Sequence, residues 1–229
     1  MFISPITKLK ELFHEKGPIG LLVFIIQKLT RKFIYKRQSI LFLKRDLSLT
    51  TRKYRTSKRW HEREFTRDDI PLCNEHFQRF KTDYNDLFDL DLKAFAAFEK
   101  ETENVIAIVW YSDKDFYDQH YLRETFTVSE NQVFQFAGEV SEPYRNTQIS
   151  ATVVKLAWEY WNSKGKRELV ATVDTTNSPS IRYMFHLGWE EMGKIQHFHQ
   201  LFRYRWQRME HYKGDNFSQF KKRKKVAAQ

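Results

Sequence analysis

Cysteine is almost missing from this 229-residue chain; Cys73 stands alone. One thiol makes neither an internal disulfide nor a cysteine-based zinc cluster, so the expected setting is reducing and cytoplasmic. Glycine (7) and proline (5) are scarce, which excludes collagen-like and low-complexity chains. No dinucleotide or Walker glycine pattern occurs, and no nucleophile elbow. The longest apolar run, Ile19 and Leu21 to Ile26 around Gly20, falls far short of the about 20 residues a spanning helix needs. Gln-Lys-Leu-Thr-Arg-Lys follows it in place of a small-residue cleavage site, so it does not read as a signal peptide.

What is abundant is aromatic carbon and positive charge. Aromatics make up 16% and hydrophobic residues 41%, enough for a packed core and too much for wholesale disorder. The formal charge is +10, unevenly spread. Residues 1–60 hold 15 Lys/Arg against 3 Asp/Glu, a net of +12, and Lys221 to Lys225 add +5. The middle, 61–220, carries 19 basic and 26 acidic residues, a net of −7. An acidic middle between basic ends disfavours nucleic acid as the partner. Basic arms of this kind meet an anionic membrane, a nucleic acid or an acidic protein.

Pro18 suits the first position of a helix, and Ile19, Leu22, Ile26, Leu29 and Phe33 recur at helical spacing with Lys28, Arg31, Lys32, Lys36 and Arg37 between them. Two readings stay open. Residues 1–45 lie on an anionic membrane as an interfacial helix, peripheral at its inner face. Alternatively the apolar stripe packs on its own domain or on a second copy in a homodimer. Ser39 to Leu43 reads as a short strand and Arg52 to Arg59 as a basic connector.

Further on, Trp60 to Phe65 reads as a strand, and Thr66 caps a helix from Asp68 towards Phe88. Lys93 to Phe98 and Val105 to Tyr111 form a hairpin across Glu-Thr-Glu-Asn. Asp113 to Glu124 reads as loop or short helix, and Asn131 to Val140 as a strand. Gln148 to Ser163 is the clearest helix, followed by a buried strand, Glu168 to Val173. Asn177 or Ser178 caps a short helix ending at Leu187-Gly188. From Trp189 to Trp206 the chain alternates, with Phe198, Phe202, Tyr204 and Trp206 on one face and His197, His199, Arg203 and Arg205 on the other. The two histidines share a strand face, but no third metal ligand is evident and no metal is expected.

This order of elements resembles the Gcn5-related N-acetyltransferases, the GNAT superfamily, from about Trp60 to Met209. Val140, Pro143 and Arg145 match the first motif, Asn177 and Ser180 the second, and Gly188-Trp189 stands where that family has Gly-Phe. The resemblance implies an α/β (α+β) fold. It would be a mixed, mostly antiparallel twisted sheet with helices on both faces, preceded by the basic amphipathic extension. Residues 1–58 would be that extension with its short strand, 59–210 the acyltransferase domain and 211–229 a basic, frayed tail. It also implies a GNAT-type N-acyltransferase that takes an acetyl or other acyl group from acyl-CoA, without a metal. The acceptor would be an amine, with an amino sugar of an envelope glycan as the suggested case.

By the same resemblance, two strands part beside the first motif and the pantetheine lies between them, held by main-chain groups near Val140. The turn Arg145, Asn146, Thr147, Gln148, Ile149, Ser150 would hold the pyrophosphate, which suits a helix N-terminus. Asn177 would sit near the cofactor, Glu139 would serve as base and Tyr183 as acid. Gln148 and Ser150 occupy the places of the family's two glycines, and Met184 that of its usual tyrosine, with Tyr183 one residue earlier. The alternative function is therefore a non-catalytic fold of this kind, acting as a binding or scaffold module at a membrane or on a partner protein.

Overall fold

A computed structural model describes residues 17–20, 35–49, 54, 57–73, 75–78, 81–119 and 121–220. Most of the amphipathic stretch and of the basic connector, and the Lys/Arg run after 220, lie outside them. The strands are β1 (Tyr35–Asp46), β2 (Trp60–Phe65), β3 (Lys93–Glu99), β4 (Val105–Ser112), β5 (Phe116–Asp118), β6 (Glu124–Phe126), β7 (Gln132–Val140), β8 (Glu168–Asp174), β9 (Glu190–Leu201) and β10 (Tyr204–His211). The helices are α1 (Glu75–Gln78), α2 (Lys81–Asp89), α3 (Ile149–Ser163) and α4 (Ser178–His186). Eight strands form one sheet in the order β10-β9-β1-β8-β7-β4-β3-β2. Every neighbouring pair is antiparallel except β7 and β8.

Strand alternation sends successive side chains to opposite faces, and each face is covered. On one, Leu41, Leu43, Phe95, Val109, Val133 and Leu169 meet α3 through Ile149, Val153, Ala157 and Trp161, and α4 through Ile181 and Met184. On the other, Ile40, Phe42, Phe98, Ile108 and Trp110 meet Ile70, Cys73, Phe77 and Tyr84. The mixed, mostly antiparallel sheet with helices on both faces is the architecture expected from the sequence.

Four local expectations are corrected. The helix from Asp68 to Phe88 is broken: Thr66 caps a 3-10 turn, Arg67–Leu72, and two separate helices follow. Pro71 lies inside that turn, where a ring without an N–H cannot continue a helical ladder. The loop at Asp113 to Glu124 contains the β5–β6 pair, with Phe116 and Phe126 stacked at 5.6 Å. The alternating run from Trp189 is two strands, joined at Phe202-Arg203. That turn reverses the register, so Tyr204 and Trp206 share a face with His199 and not with Phe198. Finally, the short strand at Ser39 to Leu43 is twelve residues long and lies between β8 and β9, inside the sheet.

Gly188 is needed where it stands. It takes φ +85° beyond the last turn of α4, with Trp189 N bonded to Met184 O and Gly188 N to Phe185 O. This closes the helix as a Schellman motif. A Cβ there would come 3.0 Å from the buried Arg45 guanidinium, whose plane covers Trp158.

Candidate active site

Strands β7 and β8 run side by side only from Gln132 opposite Glu168 to Gln135 opposite Ala171. Beyond that pair they part, although β7 continues to Val140 and β8 to Asp174. A fork of this kind leaves main-chain groups of both strands without ladder partners, facing a gap. At its base sits Gln135, a buried residue unremarked in the sequence. Its Oε1 accepts from Tyr111 Oη at 3.0 Å and from Trp158 Nε1 at 3.1 Å, which ties β4, β7 and α3 together.

One arm of the fork is bent by a bulge. Ile108 pairs with Glu139 and Trp110 with Phe136, so Val109 faces two residues, Ala137 and Gly138. Ala137 takes φ +47°, the left-handed conformation usual at such a position for glycine. The extra residue reverses the alternation that follows. Val140 packs with the α3 core, while Glu139 turns to the opposite face and meets α1.

There Glu139 Oε1 lies 2.9 Å from His76 Nε2 and 3.5 Å from Arg145 Nη2. His76 and Glu139 are 20% and 30% exposed, enough to meet a ligand. The sequence pointed to Glu139 and missed His76, which lies on a four-residue helix 63 positions away and carries no local motif. Arg145 aims its side chain at the strand as well: Nε donates to Val140 O at 3.3 Å.

The fork opens beside the start of α3. Arg145 is extended (ψ 152°) and Asn146 left-handed (φ +63°), which turns the chain sharply into the helix. Thr147 Oγ1 donates to Tyr144 O at 2.6 Å and accepts from Ile149 N at 3.3 Å. Gln148 occupies the cap position without a side-chain cap bond and is exposed. Among the described residues, the amides of Gln148, Ser150 and Ala151 meet no acceptor. The first turn of α3 holds no acid. Free amides, the positive end of the helix dipole and no carboxylate make a place for an anion.

Tyr183, on α4, faces the same region from below. Its hydroxyl is buried and has no hydrogen-bond partner. Burial pushes its ionisation far up, while the nearby Ser150 hydroxyl acts weakly the other way. It is thus a protonated donor at any ordinary pH. Asn177 is committed to capping α4: Oδ1 accepts from Ser180 N at 3.2 Å. His197 and His199 lie far along β9 and are held by protein groups. His197 uses both ring nitrogens, Nδ1 with Ser39 Oγ (2.8 Å) and Nε2 with Glu210 (2.9 Å). His199 Nδ1 meets Tyr35 Oη at 2.6 Å.

No family model matches the sequence, and no curated protein does. Solved structures do match. A tandem GNAT protein from the clavulanic acid biosynthesis pathway superposes with a TM-score of 0.50 at 12% identity, over 85% of this chain and 59% of its own. The chain has the GNAT fold. A conserved protein of unknown function from Staphylococcus epidermidis superposes with a TM-score of 0.51 at 10% identity, over 88% of this chain and 82% of its own. A Drosophila protein does so with a TM-score of 0.51 at 9% identity, over 81% and 58%. This chain thus spans under two thirds of the length of the tandem GNAT protein and of the Drosophila protein.

Proposed function

We propose that this chain transfers an acyl group from an acyl-CoA thioester to an amine. One observation carries the reading: the β7–β8 fork opens beside a helix N-terminus whose amides are free and whose first turn lacks acid. A diphosphate suits the amides of Gln148, Ser150 and Ala151, and a slender amide-bearing tether suits the unpaired edge of β7. A CoA thioester has both parts, and supplies an activated carbonyl for direct attack by the amine.

Main-chain N–H groups of β7 near Val140 would hold that carbonyl's oxygen as charge develops on it. Glu139, with His76 behind it, would accept the proton the amine loses. Tyr183, protonated and without another partner, would donate to the departing thiolate. Asn177 serves the site by fixing the start of α4 after β8. The acceptor we favour is an amino sugar, whose amine and hydroxyls suit the exposed carboxylate–imidazole pair; no metal is required by this scheme.

A second reading has its own support. Arg145 is bonded to Val140 O and Glu139, so it covers part of the edge the tether would use. That arrangement favours a binding module without turnover. Calorimetry of the full chain with acetyl-CoA separates the two. Saturable binding, weakened about tenfold or more by Gln148→Glu, which sets a carboxylate among the free amides, supports the enzyme. No heat up to millimolar acetyl-CoA overturns it and leaves the module.

A further inference from the structure

The end of the sheet formed by β1, β9 and β10 has a use that acyl transfer does not explain. Leu201 pairs with Tyr35 on one side and Tyr204 on the other, and Phe202-Arg203 makes the turn between them. Leu201, Phe202, Tyr204 and Trp206 are 39%, 62%, 65% and 47% exposed, so a hairpin tip and its flank present one continuous apolar and aromatic surface. Trp206 stacks on His199 at 5.1 Å and leans on Tyr35 at 6.3 Å, which fixes the rings in place.

Phe202 is the telling residue. Its φ is +52°, where a two-residue hairpin turn favours glycine or asparagine. A phenylalanine there adds left-handed strain and exposes a large apolar ring, so the needs of folding do not select it. Exposed cations flank the rings: Arg37 and Arg208 stand on the same face, in register with His199 and His197, Arg203 sits in the turn with its guanidinium 5.6 Å from the Tyr204 ring, and Lys36 and Arg205 occupy the other face of the hairpin. The segments that carry these cations hold no acid between Glu191 and Glu210 or between Glu15 and Asp46, and Glu210, bonded to His197 at 2.9 Å, marks the edge of the basic surface.

We infer that this tip docks on an anionic lipid surface. Aromatic rings flanked by arginines fit the boundary between headgroup and acyl chain, rings inward and guanidinium groups on phosphates. The chain enters β1 from a stretch, Ile19 to Phe33, whose sequence pairs apolar residues at helical spacing with lysine and arginine; all of it after Gly20 lies outside the described residues, and it is no part of the tip. Its own positive charge sets it against these cations as an occupant of the tip. A single-stranded nucleic acid stacks its bases along a basic groove; here the apolar carbon sits on a projecting turn, where an insertion surface needs it.

Co-sedimentation of the full chain with vesicles tests the assignment. Binding to phosphatidylglycerol-containing vesicles is expected to exceed binding to phosphatidylcholine alone and to fall with salt. Phe202→Ser with Trp206→Ser, and separately Arg203→Glu with Arg205→Glu, should each weaken it by about tenfold or more, with acetyl-CoA binding and cooperative thermal unfolding retained. Brominated lipid should quench part of the tryptophan emission, and Trp206→Phe should abolish that part. The inference is overturned if vesicles are not bound, or if both double variants bind like the parent. It is equally overturned if the tip variants impair only oligonucleotide binding or only self-association.

Discussion

In the scheme proposed above, proton transfer rests on Glu139 and His76, two side chains 2.9 Å apart. Replacing Glu139 with Gln should lower turnover by about 10²–10⁴-fold at saturating acetyl-CoA while leaving calorimetric binding intact. Tyr183 permits a sharper test, because its hydroxyl is buried without a partner. Tyr183→Phe removes an unsatisfied group and should raise stability to thermal unfolding, by up to about 1 kcal/mol, while it slows turnover. A tyrosine kept only for packing would gain the same stability with turnover unchanged. Asp69 shows the opposite case, a polar group kept for structure. Burial alone would raise its pKa, but the Arg63 fork (2.6 and 2.7 Å) and two donors from Thr66 outweigh it and hold the carboxyl below its ordinary range. A depressed native pKa gives stability that is full above the unfolded value of about 3.9 and fades as pH falls through the native one. Asp69→Asn should therefore cost about 1–2 kcal/mol at neutral pH, and the difference from the parent should shrink below about pH 4 in urea titrations. Glu139 and Tyr183 were named only for standing beside motif positions, Glu139 next to Val140 and Tyr183 one residue before the place of the family's tyrosine. His76 could not be named, since a lone histidine acquires meaning only when a bulge 63 residues later turns a carboxylate towards it.

At the level of elements, α3, the β3–β4 hairpin and β8 were legible because each carries an unbroken period of 3.6 or a short apolar run bounded by turn residues. The region from Asp68 to Phe88 was read as one helix because Thr66 and the acids after it signal a helix start, whereas in the fold that start serves only a 3-10 turn containing Pro71. The β9–β10 hairpin was read as one strand because Phe202-Arg203 gives no turn signal. The bulge in β7 was invisible for a related reason: alanine, not glycine, takes the left-handed place. That bulge sets which face Glu139 serves. Ala137→Val puts a β-branched residue at φ +47° and should destabilise the protein by about 1–3 kcal/mol in denaturant titration. Where the variant still folds, turnover should fall with it, since Glu139 is no longer aimed at His76.

The whole molecule is tied together from a place the sequence made look peripheral. Charge divides the chain into basic ends and an acidic middle, and that division invited a boundary near residue 58. The sheet ignores it: β1 pairs with β8 from Ile40 to Asp46 and with β9 from Tyr35 to Lys44. Periodicity within a segment reports its local conformation; which distant strands it joins depends on partners far along the chain. A chain beginning at Trp60 should accordingly lack cooperative unfolding by circular dichroism, because β8 and β9 lose the strand between them. Order of synthesis follows from the same insertion. β1, the earliest of the described strands to leave the ribosome, with Ile40-Leu41-Phe42-Leu43 at its heart, lacks both of its sheet neighbours until β8 and β9, well over a hundred residues later, have also emerged. Through that interval it is a sticky, solvent-facing ribbon, and closing the sheet around it is the late, long-range step in reaching the native state, the window in which a chaperone holding the nascent chain would matter most.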